Sequence, residues 1–217
     1  QPTESILQSL AISGNIRADQ CILRGQPFDT VMFVGDWNGD QLSITQALFQ
    51  KNKSTIAISG SIGRAHRMAL SINSGTTVFL NDFQSTLQSV VGRADGGGSV
   101  SGSISGTVDH PHIQLNVDFS KMEFGGVQLR SIRGGFGLAD RKLVANNLII
   151  RTREGRFDIS GYFNLQPLLA KQIQPMDYDL DLAISPMGLD VFSELVESIR
   201  REWIARFGSA TVASEVT

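Results

Sequence analysis

Residues 113 to 119 read Ile-Gln-Leu-Asn-Val-Asp-Phe, so that Ile113, Leu115, Val117 and Phe119 are separated by single polar residues. Successive side chains of an extended strand point to opposite faces of a sheet, and this pattern therefore commits the segment to one apolar and one polar face. The apolar face must be covered by something, and the cover is the functional question. The stretch SGSISGTVDHPHIQLNVDF, residues 101 to 119, reads as a whole as a strand, a turn braced by Pro111, and this second strand.

The same texture runs along the chain. Residues 11 to 18 alternate Ile12, Gly14, Ile16 and Ala18 against polar partners, and further strands are predicted at 30–33, 41–45, 55–62, 67–72 and 76–80. Turn clusters such as Trp37-Asn38-Gly39-Asp40 and Asn73-Ser74-Gly75 divide them. Strands recurring about every ten residues with turn signals between them argue for a β meander and against βαβ units.

Sliding the sequence along itself by 101 positions lays residues 16–62 over 117–163 without a gap. Ile16 then meets Val117, Leu23 meets Phe124, Phe28 meets Leu129, Val31 meets Ile132, Trp37 meets Leu138 and Leu42 meets Leu143. Ile58-Ser59-Gly60 falls on Ile159-Ser160-Gly161, and with small shifts Met68, Leu70 and Ile72 fall on Tyr178, Leu180 and Leu182. A unit near 100 residues that repeats with one apolar face predicts an elongated stack, stabilised by neighbouring strands and not by a compact centre. The chain is expected to be a fragment of a longer array, since it starts at Gln1 without a signal-like segment and ends in what reads as an interrupted strand.

Each copy carries one expected helical insert. In residues 190–207, Phe192, Leu195, Val196, Ile199, Trp203 and Phe207 share one helical face, with Asp190 as N-cap and Gly208 as stop. Residues 81–91, with Phe83, Leu87 and Val91, are a shorter version. So wide an apolar stripe is expected to lie on the sheet.

Composition narrows the functions. The 217 residues are 41% hydrophobic and 18% charged, with a formal net charge of −2, and no basic run interleaved with aromatics points to nucleic acid. Cys21 is the single cysteine and can form no intramolecular disulfide. His110 and His112 have a spacing that can hold a metal, but Pro111 intervenes and no third ligand is near, so a solvated turn is the better reading. Gly96-Gly97-Gly98 lacks the Lys-Ser or Lys-Thr of a phosphate-cradling loop and reads as a flexible connection. Asp177, Asp179 and Asp181 fall on one strand face, as an acidic outer surface and not as a catalytic pair. The residues thus imply no enzyme, no metal and no cofactor.

The apolar stripe remains. Its first-copy members are Ile58, Ile62, Leu70, Ile72 and Ile104; the second copy adds Ile113, Leu115, Val117, Phe119, Phe157, Ile159 and Leu180. In an open curved sheet this row lines a hydrophobic groove. In a closed β-helix or sandwich stalk, structural or adhesive, it is simply the core, and alternation alone does not choose.

The stretches SGSISGTVDHP, IQLNVDF, Leu143 to Ile150 and RFDISGYFNL at 156–165 resemble the TamB family, the translocation and assembly module subunits, in their Gly-x-x-x-Gly strand, Gly-Thr, following Pro and closing Ser-Gly. The resemblance implies a mainly β fold: an elongated antiparallel sheet curled into a half-pipe, or β-taco, with a hydrophobic interior and one or two amphipathic helices. It implies an inner-membrane-anchored protein of the bacterial envelope, or its plastid equivalent, with this part in the periplasm. The expected partners are phospholipid, or the amphipathic β-strands of client proteins, and an Omp85-type outer-membrane protein reached through segments outside this chain.

Overall fold

The computed structural model describes residues 11–23, 25–87, 93–124, 127–140, 142–153, 155–164 and 178–185. Within them the chain forms β1 (Ile12–Leu23), β2 (Gln26–Trp37), β3 (Gln41–Lys51), β4 (Ser54–Gly63), β5 (Arg67–Ile72), β6 (Thr77–Phe79), β7 (Ala94–Thr107), β8 (Pro111–Phe124), β9 (Val127–Ala139), β10 (Lys142–Arg151), β11 (Arg156–Asn164) and β12 (Tyr178–Ser185). All twelve belong to one antiparallel sheet. Each strand pairs with its successor, except that β5 and β6 are two halves of one interrupted strand lying between β4 and β7. Most strands are longer than the predicted segments, because β2 and β3 continue in register well past their most apolar residues.

Turn chemistry sets the hairpins. Asn38 Oδ1 accepts the amide N–H groups of Asp40 and Gln41 at 3.1 and 2.9 Å, closing the β2–β3 turn. Pro111 stands at the first position of β8, where the missing N–H is tolerated. The Asn73–Thr76 corner between β5 and β6 is held by Thr76, whose buried hydroxyl accepts from the Ala57 amide at 3.0 Å and donates to the Ala57 carbonyl at 3.3 Å.

A displacement of 101 positions carries the pairings of β1 with β2 onto those of β8 with β9. Ala18 faces Val31 and Phe119 faces Ile132; Cys21 faces Phe28 and Met122 faces Leu129. The next strands follow suit, Gly35 facing Ile44 as Phe136 faces Ala145, and Ile44 facing Gly60 as Ala145 faces Gly161. A bulge sits between Ile44 and Ala47 and again between Ala145 and Leu148. At Gly60 and Gly161 the backbone has φ of +133° and +125°, and an added Cβ would strike the Ala69 and Asp179 carbonyl oxygens of the next strand. Glycine at both positions is thus a condition for the adjoining strand to approach.

Two expectations are corrected. Of the insert expected as a helix over 81–91, the described residues form a 3₁₀ turn, Leu80–Phe83, running into α-helical Gln84–Leu87, and residues 88–91 lie outside the described residues. Asp82 ties the described part of the segment to the β3–β4 turn. Its Oδ2 accepts from the Lys53 and Ser54 amides and the Ser54 hydroxyl at 3.2, 2.9 and 2.6 Å. The helix expected over 190–207, with Phe192, Leu195, Val196, Ile199, Trp203 and Phe207, lies outside the described residues. Gly96-Gly97-Gly98, read as a flexible loop, is part of β7, where small residues admit the Phe79 ring and the β8 backbone.

The most buried cluster lies towards one end of the strands. Phe119, Met122 and Leu129 are buried together, with Val78, Leu80, Val100, Val117, Val127, Ile132 and Ile150 packed against them.

Candidate ligand-binding face

Register, not sequence parity, decides which side chains share a face. Opposed residues in an antiparallel ladder project to the same side, and following the partners across the sheet gives continuous rows. One runs Ile44, Gly60, Leu70, Ile104, Ile113, Leu138 and Leu143. A second runs Phe33, Ala47, Ile58, Ile72, Gly102, Leu115, Phe136, Ala145 and Gly161, ending at Leu180.

The remaining predicted residues fall on the same side. Ile62 stands between Leu42 and Met68, Val117 faces Val100, Phe119 faces Ile132, Phe157 faces Ile150, and Ile159 faces Leu148. All twelve residues of the predicted stripe therefore project from one face of one sheet. Two of them, Phe119 and Phe157, are buried at 8% and 3% exposure, and the other ten are half-buried.

Sequence reasoning passed over Ile44, Ala47, Ala145 and Leu148, which occupy the same face. The bulges are the cause: each inserts an extra residue, so that face-sharing positions lie three apart and the period of two is lost. Met122 and Leu129 were also missed, although the pairing of Phe28 with Leu129 in the self-match marks the second of them.

The opposite face carries hydroxyls, amides and charges along β4, β5, β7 and β8, while towards β1 the row Met32, Leu48 and Ala57 adds apolar residues to it. Ser59, Ser71, Ser103 and Gln114 form one row, and Ser61, Ala69, Ser105 and His112 another. Along β8 the residues His112, Gln114, Asn116, Asp118 and Ser120 are all exposed while the apolar residues between them are not. Ion pairs decorate this face, Arg133 Nε to Asp118 Oδ1 at 2.8 Å and Arg156 Nη2 to Asp158 Oδ1 at 2.6 Å. On the edge strand, Thr30 donates to Asp19 at 2.9 Å and Arg17 Nε lies 3.1 Å away; the hydroxyl first, then the guanidinium, hold the Asp19 carboxyl below the usual carboxylate value.

The polar groups assemble no reaction centre. Among the described residues no three His, Cys, Asp or Glu side chains come together as metal ligands. His112 is exposed, with Asp140 3.9 Å away; Cys21 is a half-buried free thiol. A shallow depression of about 320 Å³ beside the second bulge is bordered by Lys142, Asn146, Asn147, Ser160 and Tyr162, with the Lys142 ammonium 4.2 Å from the centre of the Tyr162 ring. That contact holds the lysine on the aromatic face. No helix among the described residues is long and apolar enough to cross a membrane.

Comparison with known proteins finds no matching family model, no matching curated protein and no matching solved structure.

Proposed function

We propose that this chain is a length of hydrophobic half-pipe that carries lipid acyl chains or amphipathic β-strands between membranes, as the resemblance to TamB implies. One observation supports the reading: in a single sheet the predicted apolar residues share one face, whose reverse side is Ser-rich along β4, β5 and β7, and most of those apolar residues keep part of their surface open. Full burial of a Leu or Ile contributes about 1.5–3 kcal/mol, so each half-buried residue leaves roughly 1 kcal/mol to be gained from a cover. Ten such positions leave on the order of 10 kcal/mol, which an apolar cargo would supply.

The energetics suit a transport role. Two acyl chains of roughly 15 methylenes each would lose on the order of 24 kcal/mol if carried bare through water. A curled apolar lining removes most of that barrier and needs no cofactor and no catalytic group. In this reading the chain works in the periplasm, as part of an inner-membrane-anchored protein, and meets its Omp85-type partner through other segments.

A photoreactive amino acid at Leu115 or Ile159 tests it. Crosslinks to phospholipid or to client strands in cells, absent from a polar-face control at Asn116, support the groove. Background crosslinking at every lining position removes the reading in favour of a closed structural stalk.

A further inference from the structure

Towards the end of the strands that holds the buried cluster, β8 and β9 break step together. Lys121 has a φ of +51° and falls between the pairs Ser120–Ser131 and Met122–Leu129. Met122 and Leu129 turn into the cluster on the apolar face, so Glu123 and Arg130, their neighbours in the chain, project to the reverse side. A depression of about 380 Å³ opens there, bordered by Lys121, Arg130 and Arg153 and by Asp95 and Glu123. The three cations are exposed and, like Glu123, make no ion pair or hydrogen bond among the described residues. A displacement of 101 positions finds the same break in the first copy, at Gln20 with φ of +53°. There Ile22, Asp29 and Asn52 stand in place of Glu123, Arg130 and Arg153, and the Asp29 carboxylate accepts the Asn52 amide N–H at 2.5 Å. A guanidinium has no acceptor, so Arg130 cannot repeat that bond, and Arg153 adds a second like charge. The fold requires none of these charges, since the first copy makes the same break without them.

We propose that this depression binds a phosphate-bearing zwitterion, a phosphate ester with an ammonium group two carbons away. Strand order sorts the charges. Asp95 of β7 faces Glu123 of β8, while Arg130 of β9 and Arg153, just past β10, stand on the other side with Lys121 between. Two carboxylates opposed across a ladder repel each other, and so do cations gathered in one depression. A ligand with one end of each sign relieves both, whereas a plain anion would meet the two carboxylates. The guanidinium groups offer forked donors that match phosphate oxygens. Asp95 Oδ1 already accepts from the Asn81 side chain and the Gly96 amide at 2.7 and 2.6 Å, which leaves Glu123 as the carboxylate open to the ammonium. An ethanolamine phospholipid headgroup and a soluble phosphate ester present the same chemistry. The site lies on the reverse side of the sheet and does not depend on what the apolar face carries.

Titration of the full chain with O-phosphoethanolamine, followed by amide NMR, tests the proposal. Binding is expected with a Kd of about 1 mM or tighter, with shifts centred on Lys121, Arg130 and Arg153, and it should weaken as salt is added. Arg130→Gln and Arg153→Gln should each weaken it about tenfold, from the loss of a charge-assisted hydrogen bond. Arg133→Gln, whose guanidinium is already paired with Asp118, should leave it unchanged. Glu123→Gln separates a zwitterion from a plain anion: it should weaken O-phosphoethanolamine about tenfold and tighten inorganic phosphate, since a repelling charge is gone. Flotation with phosphatidylcholine vesicles, with and without phosphatidylethanolamine, distinguishes the sources. Retention that needs phosphatidylethanolamine and is lost in Arg130→Gln assigns a lipid headgroup; binding of the soluble ester alone assigns a free phosphate ester. Absence of binding at about 10 mM ester, equal binding by the Arg130→Gln and Arg153→Gln variants, or a Glu123→Gln effect of the same sign on both ligands overturns the proposal. Arg130 and Arg153 are exposed, so their substitution leaves the fold intact; circular dichroism confirms this before binding is scored.

Discussion

Replacing Leu115 by Arg separates an open face from a covered core. Leu115 lies mid-strand in β8, between Gly102 and Phe136, and is half-buried. Removing a half-buried leucine loses about half of its transfer energy, roughly 1 kcal/mol. The arginine stem re-covers part of that surface while its guanidinium reaches water, so the expected cost of Leu115→Arg is about 1–2 kcal/mol. If the face were a dry core, the same change would bury an unpaired cation and cost several kcal/mol. Phe119→Ala is the internal standard, because Phe119 sits with Met122 and Leu129 in the buried cluster, and its loss should cost about 3–5 kcal/mol. Urea unfolding of both variants with a common slope gives the two values. Leu115→Arg should fall well below Phe119→Ala while abolishing binding of a fluorescent fatty acid. A cost for Leu115→Arg equal to or above that of Phe119→Ala would refute the open face.

Three other outcomes follow from particular contacts. Gly60→Ala and Gly161→Ala should each cost about 1–3 kcal/mol in thermal or urea unfolding, from positive φ and a Cβ forced against the next strand. Gly14→Ala, with no atom near its added Cβ, should be close to neutral. Asp82→Ala removes the acceptor of the Lys53 and Ser54 amides and the Ser54 hydroxyl, at a cost of about 2 kcal/mol, and hydrogen exchange should quicken in residues 52–54 and 77–87 before the rest of the sheet. The depressed Asp19 carboxyl contributes stability that is present above its unfolded value and lost as pH falls through its lower folded value. Thr30→Val removes the larger cause, so an NMR titration should show Asp19 moving up towards the ordinary carboxylate value.

The antiparallel meander was legible in the sequence because alternation and turn chemistry are local. Asn38 and Gly39 end β2 and start β3 by bonds within four residues, and the Ile113 to Phe119 row states its own face. The self-match of 16–62 with 117–163 was legible for a related reason: an equal spacing from each strand to the next leaves apolar residues at equal intervals. The insert at 80–87 was not legible, since its shape answers to Asp82 reaching a turn nearly thirty residues earlier. Nor was the strand role of Gly96 to Gly98, where glycine serves the Phe79 ring and the β8 backbone and not loop freedom.

By itself the sequence determined that this chain makes amphipathic strands, because side-chain alternation is a property of an extended backbone and needs no partner. Tertiary structure alone decided which residues stand side by side on a face. Bulges at Ile44–Ala47 and Ala145–Leu148 shift the period, and only the pairing across strands restores Ile44, Leu148 and the stripe from Ile58 to Leu180 to one side of one sheet. Among the described residues the same pairing gives β1 one neighbour where β8 has two, a difference that two similar stretches of sequence cannot carry.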